Sequence, residues 1–231
     1  EWFWFDKDGV LFRSGENKGS ATASDAWKYK LDEGTLKKDA NESTGVISKK
    51  KVNSKDYWFR PDGVMLAKFY MIGDNMYYFG GSDDGSMKTG SQTVKDNTGD
   101  SYKFYFYTKD TYGYKKGAGV VGNQSNKLYY YGMLIQADDY KYQLATITKD
   151  GVDYSFIVNS NGTIQHSKST EYKEDGDVLI ATGIKIAGKS TETKFVENGQ
   201  FKYAISNEAN NWDTVSKNVA DIDMSGFVQG K

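Results

Sequence analysis

The chain has no cysteine, one proline and one histidine, and no stretch approaches the roughly 20 apolar residues of a membrane span. Each absence excludes something. Without cysteine there is neither a disulfide framework nor thiol chemistry, while the compartment stays open. A single histidine with no cysteine leaves a zinc site and a Ser-His-Asp set unsupported, and His166 reads as a surface residue at a strand end. The 30 basic and 31 acidic residues are interspersed and give a net charge of −1. No basic stripe is available to neutralise phosphates, so nucleic acid is not an expected partner. The only basic run, Lys49-Lys50-Lys51, reads as a solvated loop. Asp83-Asp84 and Asp138-Asp139 are adjacent carboxylates on turn patterns and cannot flank a scissile bond. Asp6-Lys7-Asp8-Gly9 starts like a calcium loop, but no acidic residue closes it at the required distance. The sequence therefore offers no catalytic residue, no metal site and no cofactor.

What is present is aromatic. Hydrophobic content is only 38%, yet 18 Tyr, 12 Phe and 5 Trp bring the aromatic share to 15%. A ring burying about 150–250 Å² contributes roughly 4–6 kcal/mol gross at about 25 cal/mol/Å². That exceeds the backbone entropy cost of its residue, about 1–2 kcal/mol. A thin core of rings is therefore enough, provided they close over one another. The 25 Gly fit many short strands and tight turns, and 3.6-residue apolar spacing is absent over residues 1–200, which argues against long helices.

The stretch Met76 to Gly90, MYYFGGSDDGSMKTG, sets the pattern. An aromatic triplet, an Asp84-Gly85 turn and a short closing run read as one β-hairpin. Related copies are Trp4 to Leu11, Tyr29 to Leu36, Trp58 to Met65, Tyr105 to Gly113, Tyr129 to Leu134, Tyr154 to Ile164 and Phe195 to Phe201. Up to Gly162 their turn glycines recur every roughly 20–30 residues, the range of solenoids and arrays. A second kind of turn, Ile72-Gly73-Asp74-Asn75 or Asp150-Gly151-Val152-Asp153, precedes some aromatic strands. The predicted fold is all-β, an elongated solenoid of stacked aromatic-rich hairpins. Its expected organisation is degenerate hairpins with long loops over 1–54, core repeats over 55–166, degenerate hairpins over 167–206 and a cap over 207–231. Within that cap Trp212, Val215, Val219 and Ile222 share one helical face, with Asn210 or Asn211 as N-cap, which predicts a short helix over 211–221. The chain opens on Glu1 with Trp2-Phe3-Trp4-Phe5 already inside a hairpin, as expected of a piece of a longer protein.

Gly73-Asp74-Asn75-Met76-Tyr77-Tyr78-Phe79 followed by Asp84-Gly85-Ser86-Met87-Lys88-Thr89-Gly90 resembles the cell-wall-binding or choline-binding repeat, also found in glucan-binding domains and in receptor-binding repeats of clostridial toxins. Trp58 to Met65 and Gly151 to Ile164 look like further copies. The resemblance implies an extracellular, non-catalytic β-hairpin solenoid of a bacterial surface protein that docks on a polymer. In the choline-binding branch a Trp normally follows the closing glycine and opens the aromatic triplet. Here Ser91 follows Gly90, Ala118 follows Gly117, and the triplet position holds Met76 or Leu128. These departures direct the inherited expectation to glycans, whose sugar rings stack on flat aromatic faces, with Asn, Asp and Gln for the hydroxyls.

The middle residues of the aromatic strands, Trp58, Tyr78, Tyr105 and Tyr130, are the binding candidates. Their neighbours Phe59, Phe79 and Phe106 are expected to face inward, since side chains alternate along a strand. The competing reading makes all of these rings solenoid core. The expected partner is a cell-wall polymer or glycan, a host glycan or host protein being the alternative, with no membrane span and no nucleic acid. A rigid spacer and a glycoside hydrolase are the rival functions. The latter needs two convergent carboxylates about 5–10 Å apart, and no such pair is proposed by the sequence.

Overall fold

The computed structural model describes residues 2–5, 11, 27–30, 47–138, 141–173, 179–182, 185–186, 194–206, 216–219 and 224–227. It is all-β, with no helix and no closed barrel among these residues. Two compact units are present, Glu1–Thr89 with Ser225–Lys231, and Gly90–Met224.

The first unit is built of two-stranded antiparallel pairs. β1 (Trp2–Phe5) pairs with β2 (Trp27–Lys30), β3 (Ser48–Val52) with β4 (Lys55–Phe59), and β5 (Phe69–Ile72) with β6 (Asn75–Tyr78). Asn53 and Ser54, which join β3 to β4, both have positive φ, 47° and 65°, the geometry whose twist matches that of the flanking strands. Lys49-Lys50-Lys51 lies in β3, not in the expected loop: Lys49 and Lys51 are exposed there, and Lys50 stands opposite Tyr57. Pairing with β4 takes the basic run into a strand, and alternation along it decides which side chains meet water.

Alternation then sorts the rings. Tyr57 and Phe59 are buried with Trp4, Val52 and Met65 in one cluster, and Trp4 lies 5.3 Å from Tyr57. Phe59, Phe79 and, in the second unit, Phe106 are all fully buried, as their apolar character predicts. After β4 the chain reverses through Asp62-Gly63. Arg60 and Gly63 donate backbone hydrogen bonds of 2.9 Å to Val64 and Arg60 carbonyls, and Phe59 bridges Met65. The returning segment donates from Met65 to the Trp2 carbonyl and from Leu66 to the Trp58 carbonyl. This stitches one pair to another through backbone groups that two-stranded pieces would otherwise leave open.

The stretch Met76 to Gly90 differs from expectation. The partner of β6 is β5, across Gly73-Asp74, not the run after Asp84-Gly85. That second turn returns the chain with one backbone bond to β6, from Lys88 to the Tyr78 carbonyl. The glycine-rich run from Gly80 curls too tightly for a ladder, and polar side chains hold it. Asp84 accepts from the Ser86 amide at 3.1 Å, from the Ser86 hydroxyl and from the Lys88 ammonium. Burial pushes the Asp84 carboxyl up, but these bonds and the Lys88 charge together hold it below its ordinary value. A depressed folded-state value stabilises above the unfolded carboxylate range, near pH 4, and is lost as pH falls through the folded value. Acid unfolding of the first unit, followed by tryptophan fluorescence, is accordingly expected to shift toward neutral pH and to flatten below pH 4 in Asp84→Asn. An unchanged profile would count against this account.

In the second unit the pairs merge into wider sheets. β7 (Gly90–Lys95), β8 (Ser101–Phe106), β9 (Gly122–Gln124), β10 (Lys127–Tyr130) and β11 (Met133–Leu134) form a five-stranded sheet in the order β7-β8-β11-β10-β9. β12 (Tyr142–Lys149) and β13 (Val152–Asn159) are the longest strands, joined by Asp150-Gly151. β14 (Ile164–Gln165) returns on β13 after Asn161-Gly162. β15 (Glu171–Lys173), β16 (Leu179–Thr182) and β17 (Lys185–Ile186) form a three-stranded sheet. β18 (Lys194–Phe195), β19 (Ile205–Ser206) and β20 (Ser216–Val219) complete the order β18-β19-β13-β12-β20. Leu144, Ile157, Tyr172 and Ile205 form a core cluster here, with Tyr142 and Phe195 packed against it. The fifth sequence copy closes later than expected, by a bridge from Phe106 to Gly119, because residues 111–114 make a small turn of their own.

The helix expected over 211–221 is not found where the structure describes that stretch. Residues 216–219 are β20, paired in parallel with Leu144–Ile147 of β12; residues 224–227 form a turn in which Phe227 is buried 5.4 Å from Phe69, and the rest of the cap lies outside the described residues. An isolated helix of this length is marginal in water. The open edge of β12 offers backbone partners that a helix cannot use.

Candidate functional site

None of the four sequence candidates lies bare. Trp58 is half-buried on β4, 5.7 Å from Tyr77, and its indole N–H is buried without a hydrogen-bond partner among the described residues. Tyr78 is half-buried and stacks on Phe69 at 4.6 Å. Burial, and then the Asp84 charge, push its phenol up. Tyr105 is half-buried, 5.8 Å from Tyr129. Tyr130 is 4% exposed and donates to the Thr148 carbonyl at 3.1 Å. Trp58 and Tyr78 belong to the first unit, Tyr105 and Tyr130 to the second. Two of the rings on offer to a ligand were not singled out from the sequence: Tyr102 and Tyr112, 37% and 55% exposed.

A cleft in the second unit does gather chemistry. It measures about 620 Å³ and is lined by His166 and Lys168 after β14, by Lys194 to Glu197 on and beyond β18, and by Lys202 and Tyr203. Its volume falls within the roughly 300–1,000 Å³ of small-ligand sites. Val196 pairs with Tyr203 and Ala204 through backbone bonds of 2.7 Å, closing a turn at Asn198-Gly199. The loop so formed is seated by two ring pairs: Phe201 stacks on Tyr154 at 3.6 Å and 7°, and Tyr203 stacks on His166 at 3.7 Å and 8°. A third anchor is polar. The Asn123 amide donates to the Gln200 carbonyl at 2.8 Å, Asn123 Nδ2 to the Lys202 carbonyl at 2.9 Å, and Gln200 Nε2 to the Val121 carbonyl at 2.8 Å. Phe195 meanwhile packs on the core cluster. His166 thus stands in a cleft, half-buried beneath a tyrosine, instead of at an open strand end. Its partner comes from a different hairpin, which no local pattern announces.

Among the described residues the cleft is lined by one carboxylate, Glu197, against Lys168, Lys194 and Lys202. The Lys202 ammonium sits 4.8 Å from the Tyr203 ring centre, within cation–π range. Among the described residues no group of three metal-ligating side chains occurs.

No family model matches the chain, and no curated protein matches it. Solved structures do. Choline-binding protein F from Streptococcus pneumoniae is 18% identical over 83% of this chain and 73% of its own, at a TM-score of 0.35. CbpJ from Streptococcus pneumoniae is 21% identical over 68% of this chain and 49% of its own, at 0.21. Alternansucrase, solved in complex with isomaltononaose, is 17% identical over 77% of this chain and 14% of its own, at 0.33.

Proposed function

We propose that this chain is a non-catalytic carbohydrate- or cell-wall-polymer-binding module of a bacterial surface protein. The observation that carries the reading is the second-unit cleft, where apolar and aromatic walls (Phe195, Val196, Tyr203) meet polar side chains around a space of sugar size. Sugar rings combine an apolar face with a rim of hydroxyls, and such a lining offers partners to both. The half-buried rings of Trp58, Tyr78 and Tyr105 support the same reading as partial faces on the repeat units. A hydrolase role is disfavoured because glycosidases flank the scissile bond with two carboxyl groups, and among the described residues lining the cleft Glu197 is the only one. Among the described residues no helix is long and apolar enough to cross a membrane.

The test is retention of the protein on insoluble cell wall and on a panel of immobilised polysaccharides, paired with fluorescence titration of the rings. Retention on at least one polymer, with a saturable change in ring emission, is expected. Passage through every matrix without retention would sink the proposal. A scaffold without a ligand is the second reading, favoured by Tyr130, whose ring is buried and whose hydroxyl is taken by Thr148.

A further inference from the structure

We infer that the cleft lined by the His166–Tyr203 stack selects an anionic saccharide, one whose sugar carries a carboxylate or a phosphate. The inference rests on the glycan-binding reading above and names the class of glycan.

Charge is the first argument. The chain as a whole is balanced, with 30 basic and 31 acidic residues, but the described lining of the cleft is not: Lys168, Lys194 and Lys202 face it with Glu197 as the one carboxylate among the described residues. Elsewhere lysines are neutralised nearby, as Lys88 is by Asp84, Lys115 by Asp110 and Lys149 by Asp150. None of the three cleft lysines makes an ion pair among the described residues. Three like charges around one concavity repel one another, and that cost is relieved by an anion in the middle. A concave, low-dielectric wall also concentrates their field.

Shape is the second, independent argument. Phe195 and Val196 are half-buried in the lining, and so are His166 and Tyr203, stacked on each other. A bare inorganic anion has no use for such walls, whereas the carbon face of a sugar does. The stack also holds the loop bearing Lys202, so that charge is presented from a fixed support, not from a free chain end. Lysine presents a point charge, so carboxylate and phosphate suit it alike.

Three probes separate the possibilities: polygalacturonate for the carboxylate, a phosphorylated mannan for the phosphate, and neutral dextran. Binding of at least one anionic polymer, stronger than dextran and weakening from low to moderate salt, is expected, because exposed charges are screened beyond about 10 Å at 0.1 M. The triple variant Lys168→Gln, Lys194→Gln, Lys202→Gln is expected to lose roughly tenfold or more in affinity, if each exposed pair supplies up to about 1 kcal/mol. All three side chains are exposed, so its thermal midpoint should stay put, and Tyr203→Ala, which removes the ring wall together with one of the two ring stacks that seat Lys202, is expected to lose affinity as well. Equal affinity for dextran and both anionic polymers, or a triple variant that binds like the parent, would overturn the anion assignment while leaving glycan binding intact. Failure to bind any polymer, in these probes and in the polysaccharide panel alike, would overturn both.

Discussion

Gly122→Ala is expected to lower stability by about 3 kcal/mol or more and to abolish polymer binding at the His166–Tyr203 cleft. Gly122 has a φ of +95°, and a Cβ there would lie 2.4 Å from the Gln200 carbonyl oxygen and 3.1 Å from the Gln200 Cγ. A side chain at such a φ costs about 1–3 kcal/mol, and forcing atoms into a packed contact costs a further 1–3 kcal/mol or so. The oxygen belongs to backbone, so no rotamer change relieves the clash; either β9 or the loop has to move. The loop is the weaker side, held by its backbone and amide bonds to Asn123 and Val121 and by two ring stacks. Displacing it carries off Lys202 and unstacks Tyr203 from His166, which removes one wall and one charge of the cleft together. Urea unfolding and polygalacturonate titration on the same preparation check both halves. A variant within about 1 kcal/mol of the parent that still binds would show that the loop is not seated on Gly122.

That contact marks where the sequence stops being informative. The Asp-Gly and Asn-Gly turns at 62–63, 161–162 and 198–199 are legible because φ > 0 is a local demand that glycine answers, and all three reverse the chain as expected. The inward rings Phe59, Phe79 and Phe106 are legible because strand alternation is local as well. Pairing between distant strands is not. β13 pairs with β19 by Ser155 and Ile205, and β12 pairs with residues 216–219; such choices depend on which edges are left open once the local hairpins have formed. The same limit explains the misjudged stretch at Met76, where two turns compete for one aromatic strand. Both are good turns on sequence grounds. The chain uses the shorter one, Gly73-Asp74, because it brings Phe69 and Tyr70 directly opposite Tyr78 and Tyr77, and cross-strand aromatic pairs stabilise a sheet. The cleft lysines stand far apart in the sequence, Lys168 from Lys194 and Lys202, and become a cluster only through the seating of one loop.

Phe59→Ala is the corresponding expectation for the first unit, a loss of about 3–5 kcal/mol. Phe59 is fully buried and packs with Trp4, Val52, Tyr57 and Met65, residues drawn from β1, β3, β4 and the return segment after Asp62-Gly63. Flexible neighbours could slide into part of the gap, but this cluster holds only Val52 and Met65 among its non-aromatic members, and planar rings collapse poorly into a cavity shaped for another ring. The cost should therefore sit high in the usual range. Domains of this kind are stable by about 5–15 kcal/mol in all, so the loss would be visible as a large fall in urea midpoint. The signal is convenient, because Trp4 lies in the cluster with its indole N–H 3.3 Å from the Met65 sulfur, and opening the cluster exposes it. Phe59→Leu, which keeps most of the volume, should recover more than half of the loss. If Phe59→Ala costs less than about 1 kcal/mol, or if the leucine variant is no better than alanine, then rings closing over one another are not what gives this thin sheet stack its interior.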